Sequence, residues 1–277
     1  MKTEINNYVF TQSSLKQNVG EIKLFRAMES SLNIHCSAIL VEETHGNKGH
    51  VRFSSNLTKK FEKREIADLI IISKSNNDYK LSFLQAKYHR TKTSPFLEFY
   101  GDYLQLELLK TRPNIDKSNS FGFPENILNF SKYRSLSTYG IFYHDISGSI
   151  DMLYTTADLL TDSGVAGRIK GKIIFPGNVT CPCLNCSTSF KDELISTCNI
   201  DLFERALLAF QVGAPIIDVK VKAFIRKMLQ NILKRDPTLG DRITRFIPKI
   251  DEDYGVDLDV VGNPNILLIE IEKEIRE

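Results

Sequence analysis

Two apolar runs around a short polar turn give the clearest pattern in the chain. Ala67–Ser73 (ADLIIIS) is Ile-rich, Lys80–Tyr88 (KLSFLQAKY) is apolar with two polar positions, and Lys74–Asp78 (KSNND) lies between them. Short polar side chains tolerate turn geometry, so this stretch predicts a β-hairpin. Upstream, Phe25, Met28 and Leu32 recur at helical spacing and predict a helix over Thr11–Leu32. Ile34–Val41 and Val51–Phe53 read as strands. Phe96, Phe99, Tyr103 and Leu106 predict a helix over Pro95–Leu109, with the aromatic stripe turned to the core. Tyr139–His144 and Ile150–Tyr154 form a second hairpin, and Gly171–Phe175 a further strand. Leu202–Gln211 and Val219–Lys234 are amphipathic helices, and Ile266–Ile271 is a terminal strand. Strands alternating with helices make an α/β chain. The Gly/Ser-rich Thr161–Gly171 divides it into residues 1–165 and a mostly helical 166–277.

The polar residues inside the first hairpin carry the chemistry. Alternate strand residues share a face, so Gln85 and Lys87 point one way while Leu84 and Ala86 point the other. Pairing the strands brings Asp68 toward Gln85 and Lys87. Mg2+ favours hard oxygen ligands and keeps several waters, so Asp68, the Gln85 side-chain carbonyl and the Ala86 main-chain carbonyl can suffice to hold it. An ammonium such as Lys87 can orient a water and steady negative charge in a phosphoryl transition state.

Ala67-Asp68 followed by Gln85-Ala86-Lys87 resembles the PD-(D/E)xK, or restriction-endonuclease-like, phosphodiesterases. More narrowly, it is similar to their QxK branch, which includes Mrr-type restriction nucleases and nuclease domains of anti-phage defence proteins. The resemblance implies a mixed central sheet flanked by helices and a Mg2+- or Mn2+-dependent endonuclease acting on DNA. It implies metal ligation by Asp68, Gln85 and Ala86, with Lys87 positioning the attacking water. Ala67 stands where the signature has proline, and Gln85 where it has a carboxylate, so one negative charge is missing. In this branch an acid from the preceding helix commonly compensates. Glu21 is the choice here, because it lies four residues before Phe25 on or beside the apolar face, and Glu29 is the alternative.

Composition and charge narrow the setting. A chain of 277 residues with 42% hydrophobic and 25% charged positions is ordinary for a globular protein. A net charge of +2 favours no partner, so nucleic-acid contacts must come from local clusters. Lys59, Lys60 and Lys63 precede the first strand of the hairpin, and His89 and Arg90 follow the second. They flank the metal site as phosphate contacts would, with a solvated charge run as the competing reading. The residues themselves do not choose DNA over RNA. Cutting both strands of a duplex leads to the expectation of a homodimer or a larger defence complex. No run approaches a membrane span, the N-terminus lacks a signal-peptide core, and the five cysteines suit a reducing cytoplasm. Walker, dinucleotide, HExxH and GxSxG motifs are missing from the sequence.

Cys181, Cys183, Cys186 and Cys198 form C-x-C-x2-C-x11-C, a set that can close a structural zinc site; thiols in a cytosolic loop are the alternative. Residues 219–249 hold nine bases against two acids, and residues 250–277 hold nine acids against two bases. These regions suit either a nucleic-acid surface shielded by an acidic end or helix faces that are simply solvated. A rival reading of the whole chain is an inert nucleic-acid-binding or adaptor protein with a structural zinc site. Gln85 keeps that reading open, because an amide in place of a carboxylate is also how such sites degrade.

Overall fold

Glycine disfavours helix because it loses the most backbone freedom, and Gly20 ends the continuity of the first predicted helix. In the computed structural model, residues 1–14, 20–41, 49–89, 98–116, 122–145, 147–163, 168–175, 193, 197–249 and 265–271 are described. Helix α1 spans Lys2–Ser14, and α2 spans Glu21–Leu32 with Gly20 as its extended N-cap. Strands β1 (Ser37–Val41), β2 (His50–Ser54) and β3 (Phe61–Glu65) follow. The central hairpin is β4 (Leu69–Ser75) and β5 (Asp78–His89). Ser75 pairs with Asp78, so the turn tightens to Asn76 and Asn77, with Asn76 at φ 55°. Asparagine tolerates that left-handed backbone better than most residues.

The predicted Pro95–Leu109 helix begins later than its pattern suggests. Glu98–Asp102 is strand β6, and α3 covers only Tyr103–Thr111. Asp102 explains the boundary, since its carboxylate accepts the Leu104 and Gln105 N–H groups as an N-cap. Then come β7 (Ser137–His144), β8 (Ile150–Thr156), β9 (Thr161–Asp162) and β10 (Lys170–Ile174). Helix α4 (Ile200–Leu208), β11 (Ala214–Pro215), α5 (Val219–Arg235), α6 (Gly240–Thr244) and β12 (Asn265–Glu270) complete the order.

Seven strands form one mixed sheet in the order β1-β12-β4-β5-β7-β8, with β11 added beside the start of β5. β12 runs parallel to β4 and antiparallel to β1, and β5 runs parallel to β7. α3 lies between β5 and β7 in sequence, in the crossover that a parallel pair requires. Segments from both sides of residue 165 therefore share this sheet, because β12 separates β1 from β4. A three-stranded sheet (β6-β10-β9) and the β2–β3 ribbon stand apart from it.

The sheet is covered on both faces. Leu69, Ile71, Leu84 and Ala86 belong to a core with Leu24, Phe25 and Met28 of α2 and Phe203 of α4. Ile70, Ile72, Leu81 and Phe83 belong to a second core with Leu104 and Leu108 of α3 and Phe224 of α5. Burying each large side chain of this kind stabilises the fold by about 1.5–3 kcal/mol. Near-continuous apolar strands follow from this double cover, and the polar residues within β5 stand out against it.

Candidate functional site

The first pair of the β4–β5 ladder is Leu69 with Leu84, and Asp68 sits just outside it. The Asp68 N–H still donates to the Leu84 carbonyl at 3.1 Å. One step along β5, the Ala86 N–H has run past the end of β4 and needs an acceptor. The Asp68 carboxylate supplies it, with Ala86 N 2.8 Å from Oδ2. The side chain thus replaces main chain and is fixed against the edge of β5.

Gln85 and Lys87 converge on the same oxygen. The Gln85 amide nitrogen donates to Asp68 Oδ2, and it lies 3.5 Å from the Ala86 carbonyl oxygen. Lys87 Nζ is 3.8 Å from Asp68 Oδ2. Gln85 is buried, while the Asp68 and Lys87 side chains are 12% and 28% exposed, so the cluster opens to solvent on the lysine side. Tyr139, paired with Gln85 across β7, forms a buried floor. Burial, reinforced by the charges of Asp68 and Asp102, pushes its hydroxyl far above the ordinary tyrosine range, so it stays neutral.

A second amide sets the orientation of the first. Gln105 of α3 donates from Nε2 to the Glu65 carbonyl at 3.2 Å, and the same nitrogen donates to Gln85 Oε1. A main-chain carbonyl can only accept, so Glu65 dictates which end of Gln105 faces the hairpin. Gln85 must then turn its oxygen to Gln105 and its nitrogen to Asp68. Asp102, which caps α3, is also paired with Arg64 Nε at 3.2 Å, tying β3 to the helix that presents Gln105. From the far end of the chain, Asn265 Nδ2 donates to the Asp68 carbonyl at 3.1 Å. Gln105 and Asn265 go beyond the residues that the sequence pattern singles out. For Gln105 the signal is a buried amide in an apolar helix, YLQLELL; for Asn265 no local signal exists.

Glu21, the proposed third acid, is the partly buried first residue of α2. That helix packs with Leu84 and Ala86, on the sheet face opposite Gln85. A carboxylate in the first turn also complements the helix dipole. Glu29 lies 4.0 Å from Arg242. Among the described residues, no three His, Cys, Asp or Glu side chains gather to hold a metal ion. The donors at Asp68 are instead one carboxylate, one amide and one main-chain carbonyl. That set fits a hard dication retaining several waters once Gln85 turns its oxygen inward.

Lys59, Lys60 and Lys63 are exposed on the β2–β3 ribbon, whose last residue, Glu65, leads into Asp68. His89 ends β5 and is partly buried; Arg90 lies outside the described residues. His144 is fully engaged, donating from Nδ1 to the Gly148 carbonyl at 3.0 Å and accepting the Tyr88 hydroxyl at Nε2, 2.7 Å away. Cys181, Cys183 and Cys186 lie outside the described residues, whereas Cys198 is a core residue paired main chain to main chain with Tyr154. No described helix is long and apolar enough to cross a membrane.

No family model matches the chain, and no curated protein or solved structure matches it.

Proposed function

We propose that Asp68, Gln85 and Lys87 form the active site of a divalent-metal-dependent phosphodiesterase of restriction-endonuclease-like fold, cutting DNA in restriction or anti-phage defence. The observation that carries this reading is the convergence of the Gln85 amide, the Ala86 N–H and the Lys87 ammonium on one carboxylate oxygen, Asp68 Oδ2, beside the Ala86 carbonyl. A mixed sheet with a crossover helix between β5 and β7 also agrees with the architecture that the sequence resemblance implies.

In this site Asp68, the Gln85 oxygen and the Ala86 carbonyl would hold Mg2+ or Mn2+. When bound, such an ion polarises a phosphoryl oxygen and favours ionisation of a water. Lys87, partly exposed, would orient that water and steady charge on the phosphoryl oxygens. The Ala86 N–H keeps the Asp68 carboxylate at the edge of β5. Lys59, Lys60 and Lys63 neutralise phosphates of the substrate, and His89, at the end of β5, completes that role with Arg90, the next residue in sequence. A homodimer supplies the two sites that duplex cleavage needs.

One observation favours the adaptor reading: the Gln85 nitrogen, not its oxygen, faces Asp68. An amide in that pose satisfies the carboxylate without any ion. Plasmid DNA incubated with Mg2+ or Mn2+ separates the two readings. Metal-dependent nicking or linearisation by the wild type, lost in Lys87→Ala, supports the nuclease. Equal cleavage by both proteins contradicts the role of Lys87, and cleavage by neither, on DNA or RNA, supports the adaptor.

A further inference from the structure

At the end of β5 away from Gln85 and Lys87, a cavity of about 420 Å³ opens between the β4–β5 turn, the segment around Phe210 and α5. Lys80 lines it and is only 4% exposed. Its ammonium lies 5.1 Å from the Phe210 ring centroid and 5.6 Å from that of Tyr133, within cation–π range of both. Lys222 of α5 also lines it, and Asp78 is the one acid among the described lining residues. Ile216 supplies aliphatic surface beside them.

Phe210 is held there by unusual backbone. The Gln211 N–H bonds to the Ala206 carbonyl and the Phe210 N–H to the Leu207 carbonyl, a Schellman ending to α4. Such an ending places its left-handed residue at Phe210, whose φ is 59°. Glycine ordinarily occupies that position because a Cβ is disfavoured there. A phenylalanine in its place puts an aromatic ring over the buried ammonium, which the helix ending by itself does not require.

We propose that this cavity is a binding site for a small aromatic anion, its phosphate or carboxylate reaching Lys80 and Lys222 and its ring lying among Phe210, Tyr133 and Ile216. Among the described lining residues, two basic side chains against one acid select the charge. The aromatic and aliphatic walls select a flat apolar body, and the volume limits the ligand to about the size of a mononucleotide. This site stands on residues separate from the Asp68 cluster and does not depend on the nuclease reading.

Calorimetric titration of the full chain tests it with four probes: AMP, benzoate, adenosine and inorganic phosphate. AMP or benzoate should bind at one site per chain, the better of them naming the head group. Adenosine and phosphate, each with half of the recognised features, should bind at least about tenfold more weakly. Lys222→Ala should weaken the better probe by about tenfold or more, as loss of a charge-assisted contact does. Phe210→Gly removes a ring that packs on the core but relieves the left-handed backbone, which offsets part of that loss, so the variant should still fold while losing a similar factor in affinity. The proposal is overturned if neither aromatic anion binds, if inorganic phosphate binds as tightly as they do, or if both variants bind like the wild type.

Discussion

Gln105 donates to Gln85 Oε1 from the same nitrogen that it gives to the Glu65 carbonyl, 3.2 Å away. The ladder of acceptors therefore ends with Gln85 offering N–H, not oxygen, to Asp68. Metal ligation needs the opposite face of that amide. If Gln85 turns, its NH2 meets the NH2 of Gln105, unless Gln105 turns too and leaves the Glu65 carbonyl.

Replacing the anchoring amide should therefore loosen the site while opening it to metal. In Gln105→Met, the Gln85 oxygen and the Glu65 carbonyl each lose a buried partner, and unfolding free energy should fall by about 1–3 kcal/mol. Mn2+ affinity should rise by up to about tenfold, because the donor–donor clash is gone. Urea denaturation reads the first effect and calorimetric Mn2+ titration the second. Unchanged metal affinity would remove Gln105 from the account.

The exposed lysines of the β2–β3 ribbon should act through phosphates alone. Substituting Lys59, Lys60 and Lys63 together by alanine should weaken duplex DNA binding without changing its sequence preference. Each lost phosphate contact lowers the slope of log affinity against log salt by about 0.9, so the triple variant should lose up to about 2.7. Fluorescence anisotropy across a salt series measures it. An unaltered slope would mean that the DNA lies elsewhere.

Cys36 provides a pH signature of the α2–β1 region. Burial, with the Glu204 charge as a smaller contribution, pushes its thiol up to about 11 from an ordinary 9.0. Between those values the folded chain keeps a proton that the unfolded chain releases. This contribution to stability is fully present below the unfolded value and is lost as pH rises through the folded one. The denaturation midpoint of the wild type should fall more steeply between pH 9 and 11 than that of Cys36→Ala. Parallel pH profiles would show that the thiol is not held protonated.

β12 should behave as an interior strand and not as an appendage. Leu268 is fully buried between β1 and β4 neighbours. Leu268→Ala should cost about 2–5 kcal/mol in urea denaturation, the range for a cavity in a packed core. A loss of only a few tenths would mean that the sheet closes without it.

The hairpin and its polar residues were legible because they depend on neighbours in sequence. The run of isoleucines, the KSNND turn and the period of two place Gln85 and Lys87 on one face without reference to the rest of the chain. Non-local pairing was not legible. Glu98–Asp102 holds Phe99 of the helix-spaced set Phe96, Phe99 and Tyr103 but pairs with Lys170–Ile174, and only that distant partner makes it a strand. The position of β12 inside the sheet is likewise a property of the whole fold, since an apolar run is equally compatible with an edge. Gln105 joins the site through a crossover helix, so its own turn marks it only as an amide among apolar residues and not as a partner of Gln85. Glu21 shows the converse case, in which helical spacing placed an acid near an apolar stripe without fixing which face of the sheet that stripe covers.

The most direct test of the whole account is a Mn2+ titration followed by electron paramagnetic resonance, comparing the wild type with Asp68→Asn. One ion per chain in the wild type, bound at least about tenfold more weakly by the variant, is the expected result, since the Asp68 carboxylate has lost its charge. Equal Mn2+ binding by the two proteins, or none by either, would contradict the claim that this cluster is a metal site.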